Sequence, residues 1–184
     1  MSERELLAAL LRERSISFGD FRLASGQRSR YYIDARKTTM SAQGQLLIGR
    51  LGLLAIRSAG WAPVAVGGLT MGADPVAFAI ARASVDLPPL VEAFSVRKAA
   101  KEHGTGRRIE GNFAPGDSVV ILEDVVTTGN SALQAIEAVQ TAGGRVLGVL
   151  ALVDREQGGR EAIIQHGIDV VAITTANDLG LDDS

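Results

Sequence analysis

Four short runs of this chain are apolar almost without interruption. They are VAVGG from Val64 to Gly68, VVIL from Val119 to Leu122, VLGVLALV from Val146 to Val153, and DVVAITT from Asp169 to Thr175. A strand with one face in water alternates apolar and polar residues, whereas these runs do not alternate. They suit strands buried on both faces, as in a parallel sheet covered by helices. A fifth run, LPPLVEAF, is strand-like from about Leu90. Helix-length segments separate the runs, as parallel crossovers require. Ser2 and Glu5 form the S-x-x-E pattern of a capping box before Leu6, Leu7, Leu10 and Leu11, which predicts a first helix ending near Arg14. Further helices are predicted from Ser41 to about Ser58, through the Ala-rich stretch ending at Arg82, from Asn130 to Thr141, and near Arg160–His166. Between the first two helices, ISFGDFRLASGQRSRYYIDAR reads as short strands around a turn at Ser25–Gly26. The pattern predicts an α/β, doubly wound, mostly parallel sheet flanked by helices. No repeat or linker divides the 184 residues, so one domain is expected.

Composition removes several classes of chemistry. Cysteine is absent, which excludes disulfides, thiolate nucleophiles and Cys-ligated metals. The two histidines, His103 and His166, lie far apart in sequence, a poor basis for a His-rich zinc site. A formal net charge of −2 gives no general attraction to nucleic acid or to an anionic membrane. The opening MSERELLAALLRERS is too charged for a secretory signal, and the apolar runs are too short to span a bilayer. A cytoplasmic protein is the expectation.

In parallel α/β sheets, ligands bind beyond the carboxyl ends of the strands. Three such ends carry polar residues here: the turn Gly67–Asp74, the acids Glu123 and Asp124, and Asp154–Arg155. After Asp124 the chain reads VVTTGNS and enters a helix. Unpaired N–H groups at a helix start, with hydroxyls from Thr127, Thr128 and Ser131 and close approach at Gly129, suit a phosphate. The plainer alternative is an N-cap beside two solvent-facing acids. Gly-Lys-Ser/Thr is missing, so this is not a triphosphate loop, and GGLTMG does not match the dinucleotide fingerprint. Acids beside a phosphate cradle suit a ribose, whose vicinal hydroxyls donate to carboxylates. Negative charge near the ring also favours an oxocarbenium-like centre.

LEDVVTTGNS resembles the phosphoribosyl diphosphate (PRPP) signature of type I phosphoribosyltransferases. FSVRKAAKEHGTGRRIEG resembles the mobile catalytic loop of the orotate phosphoribosyltransferase family, with its R-K-x-x-K-x-H-G spacing. SGQRSRYYIDAR resembles that family's N-terminal S-G-x-x-S-x-x-Y-x-D-x-R segment, and LVDREQGG resembles its V-D-R-x-x-G-G. The match runs in order from about Phe18 to Gly159.

The resemblance implies a small N-terminal hood over about residues 1–40, a core over about 41–175 and a mobile loop. It seats the 5-phosphate of PRPP on Val125, Val126, Thr127, Thr128, Gly129, Asn130 and Ser131, and the ribose hydroxyls on Glu123 and Asp124. Thr127 and Arg155 are expected at the orotate, with Arg155 facing its carboxylate; the local alternative is an ion pair with Asp154 or Glu156. Arg97, Lys98, Lys101 and His103 are expected at the diphosphate, with Lys101, His103 and Asp124 in the catalytic set. Taken alone, that charge run equally describes a solvated face. Mg²⁺ is expected, carried mainly by the diphosphate and not by a protein cage. Asp74 reads either as a contact to that metal through water or as a helix N-cap. A homodimer is implied, with Lys98 reaching the neighbouring subunit's site. The chain departs from many relatives at Ala24, Thr70 and Met71, which leaves two cations missing; Arg22, Arg28 and Arg30 are candidate replacements. Two rivals are a transferase for another nucleobase and a PRPP-binding regulator without catalysis. The loop cations and the V-D-R stretch favour orotate, and the acidic balance disfavours a nucleic-acid-binding regulator.

Overall fold

The computed structural model describes residues 1–22, 26, 28–99 and 108–181. Helix α1 (Glu3–Arg14) carries the expected capping box and leads into a hairpin of β1 (Ile16–Arg22) and β2 (Arg28–Ile33). A single-turn helix α2 (Arg36–Thr39) and the long α3 (Ala42–Ser58), capped by Ser41, follow. Then come β3 (Ala65–Leu69), α4 (Ala73–Asp86), β4 (Glu92–Val96), β5 (Ile109–Gly111), β6 (Ser118–Val126), α5 (Asn130–Thr141), β7 (Arg145–Asp154), α6 (Gly159–Ile164) and β8 (Val170–Thr175).

Six strands form one sheet in the order β5-β4-β3-β6-β7-β8, parallel except where β5 pairs antiparallel with β4. Its apolar runs are continuous because each face meets a separate core. Val120 and Leu122 of β6, with Leu150 and Leu152 of β7, face Leu7, Ile48, Leu53 and Ile80 of α1, α3 and α4. Their neighbours Val119, Ile121, Val149 and Ala151 face Ala135 and Val139 of α5 and Ile163 of α6. Val119 to Leu122 are completely buried. Full burial of each such side chain stabilises the fold by roughly 1.5–3 kcal/mol.

From β3 the chain builds outward to β4 and β5, then returns to lay β6 on the other side of β3. The strand order therefore reverses at the β3/β6 seam, where α/β sheets open a crevice. The N-terminal segment is tied to the edge strand β8 and to α2. Arg4 Nε donates to the Ile173 carbonyl at 2.8 Å, and Ser15 Oγ and Thr38 Oγ1 share a buried hydrogen bond of 2.7 Å.

Several boundaries differ from the sequence reading. Strand β6 continues through the two acids to Val126, because Glu123, Val125 and Val126 pair with Ala151, Val153 and Asp154 of β7. Ladder bonds, indifferent to side-chain polarity, extend the strand beyond its apolar run. Helix α4 runs one turn past Arg82 to Asp86, which pairs with Arg82 at 2.8 Å. The end of the polar run Arg97–Gly111 is β5, a three-residue edge strand too short to show a period. Among the described residues, no helix is long and apolar enough to cross a membrane.

Candidate active site

The carboxyl ends of β3, β6 and β7 open into a cavity of about 940 Å³ at the β3/β6 seam. Glu123 and Asp124 form its floor. Glu123 is 8% exposed, and its Oε2 has no hydrogen-bond partner among the described residues. Burial pushes its carboxyl well above the usual range, and the neighbouring Asp124 charge adds to this. Asp124 is also raised, chiefly by burial, while the Val125 N–H donating to its Oδ1 at 2.9 Å acts in the opposite direction. The plainer reading of two solvent-facing acids fails at Glu123, which is buried, while Asp124 is half-buried and faces the cavity. Gly72, from the turn after β3, lies against Asp124: a Cβ there would stand 2.5 Å from Oδ1.

The turn after β6 closes one wall. Val125, Thr127, Thr128, Asn130 and Ser131 line the cavity; Val126 and Gly129 do not. Val126 is buried in the core under α5. Gly129 caps α5 with φ of 80°, and a Cβ there would approach the Gly159 carbonyl to 2.7 Å. Both the left-handed backbone and the close approach require glycine. The α5 amino end, with its unpaired N–H groups, therefore opens beside three hydroxyl-bearing side chains.

Arg155 follows β7 and is 5% exposed. Its main-chain N–H donates to the Val126 carbonyl at 3.0 Å. Its Nη2 donates to Ser29 Oγ at 3.1 Å, and its guanidinium lies 4.5 Å from the centre of the Tyr31 ring. Its buried Nε has no partner among the described residues. The local ion pair is not formed: Asp154 Oδ1 instead accepts the Glu156 N–H at 2.8 Å, and Glu156 Oε2 accepts the Asn177 N–H at 2.9 Å.

The expected loop residues separate. Lys98 lines the cavity of its own chain, whereas the sequence reading sends it to a neighbour. Arg97 pairs with Glu110 of β5 at 3.8 Å and does not line the cavity. Lys101, His103 and Ala24 lie outside the described residues. Of the three candidate replacement cations, Arg22 lines the cavity; Arg28 instead pairs with Asp20 at 3.9 Å, and Arg30 is not at the wall. Thr70 and Met71 do line it. Asp74 is not the N-cap of α4, a place held by Gly72; it sits in the first turn and accepts from Thr70 Oγ1 at 2.5 Å. Its Oδ1 is buried without a partner among the described residues.

Tyr32, Asp34 and Arg36 also line the cavity, and sequence reasoning gave them no role. Asp34 holds the Arg36 guanidinium through Nε at 2.8 Å and Nη2 at 3.3 Å, and that hydrogen-bonded pairing keeps the Asp34 carboxyl below its usual range. The available signal was the D-x-R spacing just before a helix, which does not say which way a side chain faces.

A sheet crevice holding an acid pair and a hydroxyl-lined helix start defines a sugar-phosphate transferase site, and residues 43–178 match the phosphoribosyl transferase domain family. The chain is 46% identical to orotate phosphoribosyltransferase of Aquifex aeolicus over 182 residues, covering 97% of this chain and 98% of that one. It is 47% identical to the Mycobacterium avium orotate phosphoribosyltransferase over 183 residues, 98% and 99% of the two chains. The crystal structure of the Mycobacterium tuberculosis enzyme in complex with PRPP superposes with a TM-score of 0.81 at 42% identity, covering 98% and 100%. The chain belongs to the orotate phosphoribosyltransferase family.

Proposed function

We propose that this protein transfers the 5-phosphoribosyl group of PRPP to orotate, giving orotidine 5′-monophosphate and diphosphate. The observation that supports the reading is one cavity joining an acid pair with Glu123 buried, a phosphate-sized helix start and a buried arginine. The ribose hydroxyls would donate to Glu123 and Asp124, and the 5-phosphate would take the N–H and hydroxyl groups of residues 127–131. As the bond from C1 to the diphosphate breaks, positive charge grows on the ribose and negative charge on the leaving group. Asp124 would stabilise the first. Lys98, Lys101 and His103 would neutralise the second, with Lys101 or His103 as proton donor. Arg22 supplies further positive charge at the wall. Arg155 would hold the orotate carboxylate and Thr127 would border the base.

No group of three or more His, Cys, Asp or Glu side chains placed to hold a metal exists among the described residues. Asp74 offers a buried carboxylate oxygen without a partner among the described residues, a hard donor suited to Mg²⁺ or one of its waters. When bound, Mg²⁺ supplies charge neutralisation at the diphosphate. A cytoplasmic homodimer completes the proposal.

The test is loss of orotate absorbance with PRPP and Mg²⁺, run beside uracil, hypoxanthine and adenine. Orotate is expected to be consumed fastest, in a preparation sedimenting at the mass of two chains. Equal or faster use of a purine would overturn the assignment of the base.

A further inference from the structure

Arg155 is buried, yet none of the ion pairs among the described residues includes it. Two residues of the N-terminal hairpin hold it instead. Ser29 and Tyr31 lie on β2, 126 and 124 positions away in sequence, and are 5% and 2% exposed. The Ser29 hydroxyl donates its single proton to the Tyr31 carbonyl at 2.8 Å. Its oxygen accepts from the Tyr31 N–H at 3.3 Å and from Arg155 Nη2 at 3.1 Å. The Tyr31 ring, with the guanidinium 4.5 Å from its centre, supplies a cation–π contact. The arginine is held in place by neutral groups that leave its charge uncancelled. Its Nε, buried and without a partner among the described residues, remains available in a residue that lines the cavity.

A buried guanidinium held by a carboxylate would already be neutralised. One held by a hydroxyl and a ring keeps its full attraction for an incoming anion, with its side-chain freedom already lost. We propose that Ser29, together with Tyr31, is a positioning residue that presents Arg155 to the carboxylate of the base and thereby selects a carboxylated base. This inference rests on the orotate reading of the site. It assigns the hairpin a part in substrate choice beyond covering the cavity.

The experiment is a Ser29→Ala substitution in the full chain, with both substrates varied. The KM for orotate should rise about 10-fold or more, the scale of a lost hydrogen bond to a charged group. The KM for PRPP should stay within about twofold, because Ser29 does not line the cavity and touches it through Arg155. In an Arg155→Met background, which removes the donor, Ser29→Ala should add less than about twofold. A merely structural role for Ser29 would instead raise both KM values and persist in that background; either result overturns the proposal. An unchanged orotate KM in Ser29→Ala, beside a wild type that turns over orotate, overturns this inference alone. A wild type with no orotate turnover removes the orotate reading and this inference together. If Ser29→Ala does not fold, Ser29→Cys carries the same test, since a thiol is a weaker acceptor of comparable size.

Discussion

The ends of β6 and β7 are adjacent in the sheet and treat their charges in opposite ways. At β6, the buried Glu123 and the half-buried Asp124 stand side by side, both pushed toward the protonated form, and one Glu123 oxygen has no partner among the described residues. At β7, the single charge of Arg155 is held by a hydroxyl, a ring and the backbone turn. The first end is strained electrostatically and formed by consecutive residues. The second is well supported, but by residues from the far end of the chain. On the proposed reaction the difference would separate two kinds of work: the acids that would respond to a developing positive centre are left short of partners, whereas the arginine that would select the substrate is held still.

Three substitutions sharpen or break this contrast. The largest effect is expected from Asp124→Asn, which preserves shape and removes charge. It should lower kcat by roughly 10²–10³-fold, the scale of losing one transition-state stabiliser. Steady-state rates at saturating substrates check it, and a near-normal kcat would remove Asp124 from the catalytic set. Next is Arg155→Lys. A lysine cannot reproduce the planar fork, so the orotate KM should rise by about 10–100-fold with little change in the KM for PRPP. Equal effects on the two substrates would mean that the β7 end does not select the base.

The smallest effect concerns stability. The folded state holds the Glu123 proton more tightly than the unfolded chain does. Above the ordinary carboxylate range the native state therefore binds more protons, and stability falls as pH rises toward the raised folded value. Glu123→Gln removes that loss. It should raise the melting temperature at pH 7–8, by about 2–4 °C for each kcal/mol recovered. The gain should vanish below about pH 4, where both states of the wild type are protonated. A gain that persists in acid would mean that packing, and not charge, is responsible.

What was legible in the sequence follows the same division. The apolar runs gave the parallel sheet because Val119 to Leu122 must be buried on both faces. The acids and the turn through Ser131 were readable because a strand end and a helix start are neighbours along the chain. The partners of Arg155 were not. Ser29 and Tyr31 sat inside a recognisable segment, but no local rule says that β2 crosses over the end of β7. Arg97 was misplaced for a related reason: an edge strand of three residues supplies Glu110, and three residues carry no period. The turn holding Asp34 and Arg36 was likewise too short to reveal which way its side chains face.

The contact between Gly72 and Asp124 has a consequence for how this protein can change over generations. A Cβ at position 72 would stand 2.5 Å from Asp124 Oδ1, so the carboxylate must move to admit any side chain there. The two positions are 52 residues apart on different turns, yet they form a single heritable unit. While the aspartate is present, any side chain at 72 displaces its carboxylate. Were position 124 to shorten first, position 72 would become free to drift. The order in which the two can mutate is therefore constrained, and a lineage that has lost the acid should be recognisable by what has since accumulated at the glycine.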